Sequence, residues 1–379
     1  MITRRAFLRF GTSAVAAAAL PFSISAASDV GVESAGHEHS AFIRLDRNEN
    51  PYGPSPSVAA AAKSTLDLVS RYPRTARDTL SERIALLSHV EPEQVLLGCG
   101  STELLRAAAN AFLGKGKQLV QASPTFEAME HYASAAGAEV VSVPLTATFA
   151  HDLNGMLVRT GDSTGLVYIC NPNNPTASLT ARKDLETFLS RLRGSTVVLI
   201  DEAYHHYAGS SGMYASFIDQ PLADERVIVT RTFSAVYGLA GLRLGYAVGS
   251  PKIVGQMTRF TTLDNINAVA AHAAVTSLGD VNAVNNFIQR NANDRQEFFN
   301  QAMARALKPV DSHANFVMMN TMHPAKDVAG FFRTKGVLIA AGFPRMDTYI
   351  RVSLGRPEEM RIFWQTWDTL PYPKNVMSH

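Results

Sequence analysis

From about residue 66 the chain alternates between two hydrophobic patterns. Short strands are expected at 94–99, 118–122 and 139–143, and continuous apolar runs bounded by turn residues lie at 165–170 and 196–200. Such runs suit strands buried on both faces of a parallel sheet. Runs at 226–230 and 244–248 add two more. Between them, 102–112 and 126–136 read as helices, and the first places Leu104, Leu105, Ala108 and Phe112 on one face. This strand–helix rhythm predicts a large, mostly parallel α/β/α domain over 66–261, with its ligand site at the strand C-termini. Past residue 262 the pattern turns helical (268–278 and 281–307), with short strands near 316–319 and 349–352. A smaller α+β domain is expected over 262–379. Residues 28–65 read as a linker and an N-terminal arm that packs with the small domain.

The first 27 residues are different in kind. Thr3-Arg-Arg-Ala-Phe-Leu-Arg9 precedes an Ala-rich apolar stretch, and Ser25-Ala-Ala27 offers small residues for cleavage. This reads as a twin-arginine signal peptide over 1–27, which predicts export of the folded protein to a periplasmic or other extracytoplasmic location. The stretch is too short and too weakly apolar for a membrane span, so no stable membrane insertion is expected. Cleavage would remove Arg4, Arg5 and Arg9 and take the formal net charge from +2 to −1.

Composition narrows the picture little. With 46% hydrophobic and 18% charged residues the chain reads as soluble and globular, and no block of Lys or Arg points to nucleic acid. Cys99 and Cys170 each end an expected strand and read as small buried apolar residues, not as a disulfide or metal pair. His37 and His39 lie in the polar linker and read as a solvated tail, so no metal is expected.

Polar clusters fall just past several of these strands. Gly100-Ser101-Thr102-Glu103 joins a strand to a helix, where glycine, hydroxyls and a helix N-terminus suit an anion. The same residues also serve as an ordinary N-cap. Cys170-Asn-Pro-Asn-Asn-Pro-Thr176 is a Pro/Asn turn that can present the Asn174 amide. Asp201-Glu-Ala-Tyr204 puts a carboxylate at the end of a buried strand, which is costly unless a cation pairs with it or it caps the next segment.

In this order the clusters, with Arg231-Thr-Phe-Ser-Ala-Val-Tyr-Gly-Leu-Ala-Gly-Leu-Arg243, resemble the fold-type I pyridoxal 5′-phosphate (PLP) aminotransferases, especially the histidinol-phosphate aminotransferase branch. The resemblance spans roughly 44–360. It implies that Gly100, Ser101 and Thr102 hold the PLP phosphate, with Ser234 and Arg243 on its far side. Phe126 would stack on the pyridine ring, Asn174 would bond the ring hydroxyl beside Tyr204, and Asp201 would pair with the ring nitrogen. Arg351, in Tyr-Ile-Arg-Val-Ser-Leu-Gly, would clamp the substrate carboxylate, with Asn174 and Tyr52 of Asn48-Glu-Asn-Pro-Tyr-Gly53 lining the site. Tyr72 would reach the phosphate of a neighbouring subunit, which implies a homodimer with a shared site. The substrates implied are an α-amino acid and a 2-oxo acid.

The chain departs from that family twice. Ala235 stands where the family carries the lysine that forms a Schiff base with PLP and shuttles the substrate proton. General-base catalysis is worth roughly 10²–10⁴-fold, so little turnover is expected of this chain. Ala235 can reflect an introduced lysine-to-alanine change, a natural non-catalytic binder of PLP or its amino-acid adduct, or a base moved elsewhere. His205 and His206 are the nearest candidates for a moved base, and otherwise read as loop or surface positions. The otherwise intact constellation favours an aminotransferase scaffold whose lysine has been lost or removed. The second departure is Gly336-Val-Leu-Ile-Ala-Ala-Gly342, where relatives acting on histidinol phosphate carry an arginine in a Val-Ile-Val-Arg-like strand. Arg345 is out of register, so recognition of a phosphorylated side chain is not expected.

Overall fold

The structure, a computed structural model, describes residues 42–192, 194, 196–219 and 224–371. The signal segment 1–27, the linker residues up to 41 and both linker histidines lie outside the described residues. The strands are β1 (Ile43–Leu45), β2 (Val95–Gly98), β3 (Gln118–Ser123), β4 (Glu139–Pro144), β5 (Thr164–Cys170), β6 (Val197–Asp201), β7 (Val227–Thr232), β8 (Gly245–Gly249), β9 (Phe316–Asn320), β10 (Val337–Ala341) and β11 (Tyr349–Ser353). They form a seven-stranded sheet, in the order β2-β8-β7-β6-β5-β3-β4, and a four-stranded sheet, β1-β10-β11-β9.

The continuous apolar runs are dealt alternately to two cores, because successive side chains of a strand point to opposite faces. Val167, Ile169, Val198 and Ile200 join Leu80, Ile84, Leu185 and Phe188 on one face of the large sheet. Leu166, Tyr168, Val197 and Leu199 join Leu104, Leu105 and Met129 on the other. Burial on both faces is why these strands carry no polar alternation. In the small sheet one set of alternating residues (Val317, Met319, Val337, Ile339, Ile350 and Val352) packs on Phe298, Phe332 and Phe363.

The large sheet is parallel except at β8, which runs antiparallel to both β2 and β7. Composition does not distinguish β8 from its neighbours, but its direction matters. An antiparallel strand begins at the edge where the parallel ones end, so the chain entering β8 arrives beside the ends of β2 and β7, with Gly245 opposite both Gly98 and Thr232.

Some expectations need correction. The helix expected over 126–136 is Ala128–Ala135, because Pro124, Thr125 and Phe126 form the turn that leaves β3. Phe112 is half-buried at the end of its helix. Cys99 is exposed, not buried: β2 stops at Gly98, and the Cys99 backbone N–H is drawn to Glu103 Oε2 at 2.6 Å, which turns the chain out of the sheet. Cys170 is buried as expected. β1, β10 and several helices, including Arg74–Ser88 and Pro357–Asp368, had no assigned pattern and are present.

Candidate active site

At one end of the site the chain builds an anion cup from the turn after β2 and the segment that joins the end of β7 to the start of β8. Gly100 lies at φ +75° before the helix Ser101–Phe112, and a Cβ there would collide with the Arg243 guanidinium, so only glycine fits. Arg243 is itself left-handed at φ +54°, a conformation a side chain adopts at a cost. Its Nη1 donates to Ala240 O at 3.1 Å and Ser234 Oγ at 3.4 Å, and its Nη2 donates to Thr102 Oγ1 at 3.3 Å. Thus a guanidinium, two hydroxyls and a helix N-terminus converge with no carboxylate among these contacts. That donor set suits a phosphate. Glu103 is buried behind the turn. Burial would raise its carboxyl, but the N–H groups of Cys99 and Thr262 and the Asn265 amide outweigh that, and the group is held below its ordinary range.

Asp201, at the end of β6, is 2% exposed. Tyr168 Oη donates to its Oδ2 at 2.9 Å and the Ala203 N–H to its Oδ1 at 3.2 Å. Burial nevertheless pushes its carboxyl up to about 6. Such a group is incompletely compensated, and a cationic partner would restore its charge.

The opposite end is built on the face of the small sheet turned away from the Phe298, Phe332 and Phe363 core. Arg351 Nη1 donates to Asn174 Oδ1 at 2.6 Å and Nη2 to Asp46 O at 2.7 Å. Its Nε is buried without a partner, an unmet donor that an anionic ligand would satisfy. The rings of Phe316 and Phe343 lie 5.5 and 5.4 Å from this guanidinium. Because Asn174 Oδ1 is committed to Arg351, its Nδ2 is left to donate. Tyr204 Oη accepts from Asn48 Nδ2 at 3.1 Å, and its ring meets Phe316 edge-on. Burial pushes the Tyr204 hydroxyl up to about 12, so it stays protonated. Phe126 is half-buried in the turn after β3, where Thr125 Oγ1 donates to Asn173 Oδ1 at 2.8 Å and joins that turn to the one bearing Asn174.

Ala235 is buried at 4% exposure, one residue past Ser234 of the cup. The N-terminal arm is stitched over this segment: Asn50 Nδ2 donates to Val236 O at 2.9 Å, and a Cβ on Gly238 would strike the backbone of Gly53.

Two expected residues stand apart. Tyr52 is not brought to Arg351. The Asn50 side chain caps the turn, Gly53 takes φ +66°, and Tyr52 points outward, where its hydroxyl donates to Asp294 at 2.8 Å beside Arg290 and Arg356. Tyr72 is 76% exposed on the turn before the helix Arg74–Ser88 and makes no contact with the cup in this chain. His205 and His206 are not surface loop residues. They form the short helix His205–Ala208, half-buried with ring centroids 3.7 Å apart, and His206 Nε2 lies 3.2 Å from Tyr237 Oη. Burial and the nearby Arg231 push both rings below their ordinary value, His206 to about 3.

Glu103, Asp46 and Asn48 were missed as functional residues. Glu103 had a legible signal: a Glu three residues past the cap is the pattern of a side chain returning to backbone N–H groups. Asp46 accepts from Arg351 through its backbone carbonyl, which no residue type signals.

Comparison with known proteins agrees with this geometry. Residues 40–366 match the model of "Aminotransferase class I and II". The chain is 34% identical over 322 residues to a histidinol-phosphate aminotransferase of Moorella thermoacetica, covering 85% of this chain and 83% of that protein. It is 35% identical over 293 residues to an aromatic amino acid aminotransferase of Cutibacterium acnes, covering 76% and 82%. A histidinol-phosphate aminotransferase of Sinorhizobium meliloti, solved in complex with pyridoxal-5′-phosphate, superposes with a TM-score of 0.80 at 26% identity, covering 85% of this chain and 89% of that one. The chain therefore belongs to the class I and II aminotransferases.

Proposed function

We propose that this chain is an exported PLP-dependent aminotransferase scaffold in which Ala235 replaces the Schiff-base lysine, so that the cofactor is bound without a covalent tether. The observation that carries the reading is the convergence of Gly100, Thr102, Ser234 and Arg243 into one anion cup. The other residues fit the same cofactor. Phe126 would stack on the ring, and Asp201 would regain its charge against a protonated ring nitrogen. The Asn174 amide would donate to the ring hydroxyl. Bound PLP would supply an electron sink. Arg351, with its unmet Nε, would clamp the carboxylate of an α-amino acid or a 2-oxo acid. Tyr204 would hold its proton beside the ring hydroxyl. Ala235 offers no group to take or return the substrate proton, which leaves binding intact and catalysis weak. His205 and His206 are poor replacements, because His206 is bonded to Tyr237 and both lie among buried groups.

The substrate is an amino acid with an unphosphorylated side chain. Ala340 pairs directly with Arg351 across β10 and β11, so no cation stands beside the clamp from that strand, and Arg345 is exposed in the following turn. The relative named for aromatic amino acids supports this choice, and the rings of Phe316 and Phe343 beside the clamp suit an apolar side chain. The exposure of the Tyr72 side chain, whose hydroxyl has no hydrogen bond among the described residues, supports a homodimer in which it completes a partner's cup. Export rests on the Arg4-Arg5 motif. Fractionation of cells expressing the full chain tests it: Arg4→Lys with Arg5→Lys should hold the protein in the cytoplasm, and unchanged export would reject that route.

The binding claim is tested by incubating the purified protein with PLP and a panel of amino acids, followed by desalting. Cofactor absorbance should survive desalting, most strongly with one amino acid. Its loss under every condition would reject the reading.

A further inference from the structure

The anion cup is assembled from two pieces of chain that share no covalent constraint, the turn after β2 and the residues before β8. The β2–β8 ladder, which pairs Gly98 with Gly245, brings them together, and beyond it a single short loop touches both. Glu103 Oε2 accepts from the Cys99 N–H at 2.6 Å and from Asn265 Nδ2 at 2.7 Å, while its Oε1 accepts from the Thr262 N–H at 2.9 Å. Asn265 Nδ2 also reaches Leu97 O at 3.2 Å, on β2 itself. Two residues on, Asn267 Nδ2 donates to Leu242 O at 3.2 Å, immediately before Arg243. The loop 262–267 therefore grips the Gly100 side of the cup through Glu103 and the Arg243 side through Asn267. Gly245 leaves no slack between them, since a Cβ there would press on Ser101 N and Gly100 C.

We infer that Glu103 is a positioning residue for the phosphate group of the ligand. Its buried carboxylate clamps the turn bearing Gly100, Ser101 and Thr102 onto the loop 262–267, and that loop, together with the Gly98–Gly245 pair, fixes the distance from the helix N-terminus to the Arg243 guanidinium. An anion placed between them needs both donors at once, because charge-assisted bonds weaken quickly with misalignment. A carboxylate so near a phosphate site would by itself oppose the anion. Three directed N–H donors and Arg106, whose Nη2 lies 3.6 Å from Oε1, offset it.

This inference rests on the reading of the cup as a phosphate site, and the test separates the two. Dissociation constants for PLP and for pyridoxal, which lacks the phosphate, are measured on the full chain and on Glu103→Ala and Asn265→Ala. The unaltered chain should prefer PLP strongly. Glu103→Ala should shrink that preference at least about tenfold and Asn265→Ala about threefold, with pyridoxal affinity nearly unchanged, as expected for misaligned charge-assisted bonds. A general loss of structure would weaken both ligands alike, and that result in the folded variant overturns the inference, as does an unchanged preference. If Glu103→Ala fails to fold, Asn265→Ala decides: a reduced preference supports the clamp and an unchanged one overturns it. No preference for PLP in the unaltered chain would remove the phosphate reading, and the clamp with it.

Discussion

Two neighbouring positions, Ser234 and Ala235, show how differently binding and chemistry are held. Ser234 belongs to a cup whose parts are fixed several times over: Arg243 bonds two hydroxyls and a carbonyl, Gly100 leaves room for it, and Glu103 anchors the turn behind. Ala235 presents only a buried methyl group, at the position we propose for the family's lysine. On the proposed reading, binding is distributed over many residues and should survive the loss of one side chain. Covalent and proton-transfer chemistry resides in one atom and disappears with it.

The sharpest way to break this comparison is to attack the two ends of the site separately. Arg243→Ala should weaken PLP binding about 10- to 100-fold, the worth of charge-assisted hydrogen bonds, in a direct titration. Arg351→Ala should leave PLP binding nearly unchanged and abolish the effect of added amino acids on cofactor retention. Equal effects of both variants on PLP would mean that the ends are not independent.

Asp201 gives the next effect. Its carboxyl, raised to about 6 by burial, binds its proton more tightly in the folded than in the unfolded chain. Without ligand, stability should therefore fall as pH rises from about 4 to about 6, by up to about 3 kcal/mol. Asp201→Asn should flatten that slope in urea unfolding series. It should also weaken PLP binding above pH 6, where the aspartate would be ionised. A slope unchanged by the substitution would show that Asp201 is not the group responsible. The smallest effect is expected from Tyr72→Phe, about two- to tenfold on PLP affinity for loss of one hydrogen bond, and only where the chain is dimeric by sedimentation. The same loss in a monomer would exclude a role across subunits.

Much of this was legible in the sequence because the relevant signals are local. Buried strands read as apolar runs, and Gly100, Asn174, Asp201 and Arg243 each mark a strand boundary. What was hidden depends on partners far along the chain. The antiparallel direction of β8 brings Arg243 to the Gly100 turn, yet its composition matches that of the parallel strands. Tyr52 sits in the expected motif, but Asp294 on a distant helix draws it outward. Cys99 and the two histidines were misplaced because a polar or apolar neighbourhood in sequence says little about which side of a turn is covered. The clamp by Glu103 depends on loop 262–267, more than 150 residues away, as the separation of 162 positions between Glu103 and Asn265 shows.

The central claim is that the scaffold is complete except at position 235, and Ala235→Lys tests it most directly. With PLP and a panel of α-amino acids and 2-oxo acids, the variant should bind the cofactor covalently and gain at least about 100-fold in transamination over the unaltered chain. Covalent PLP without turnover on any amino acid would contradict the account and identify the chain as a binding protein whose catalytic geometry has been lost beyond that one residue.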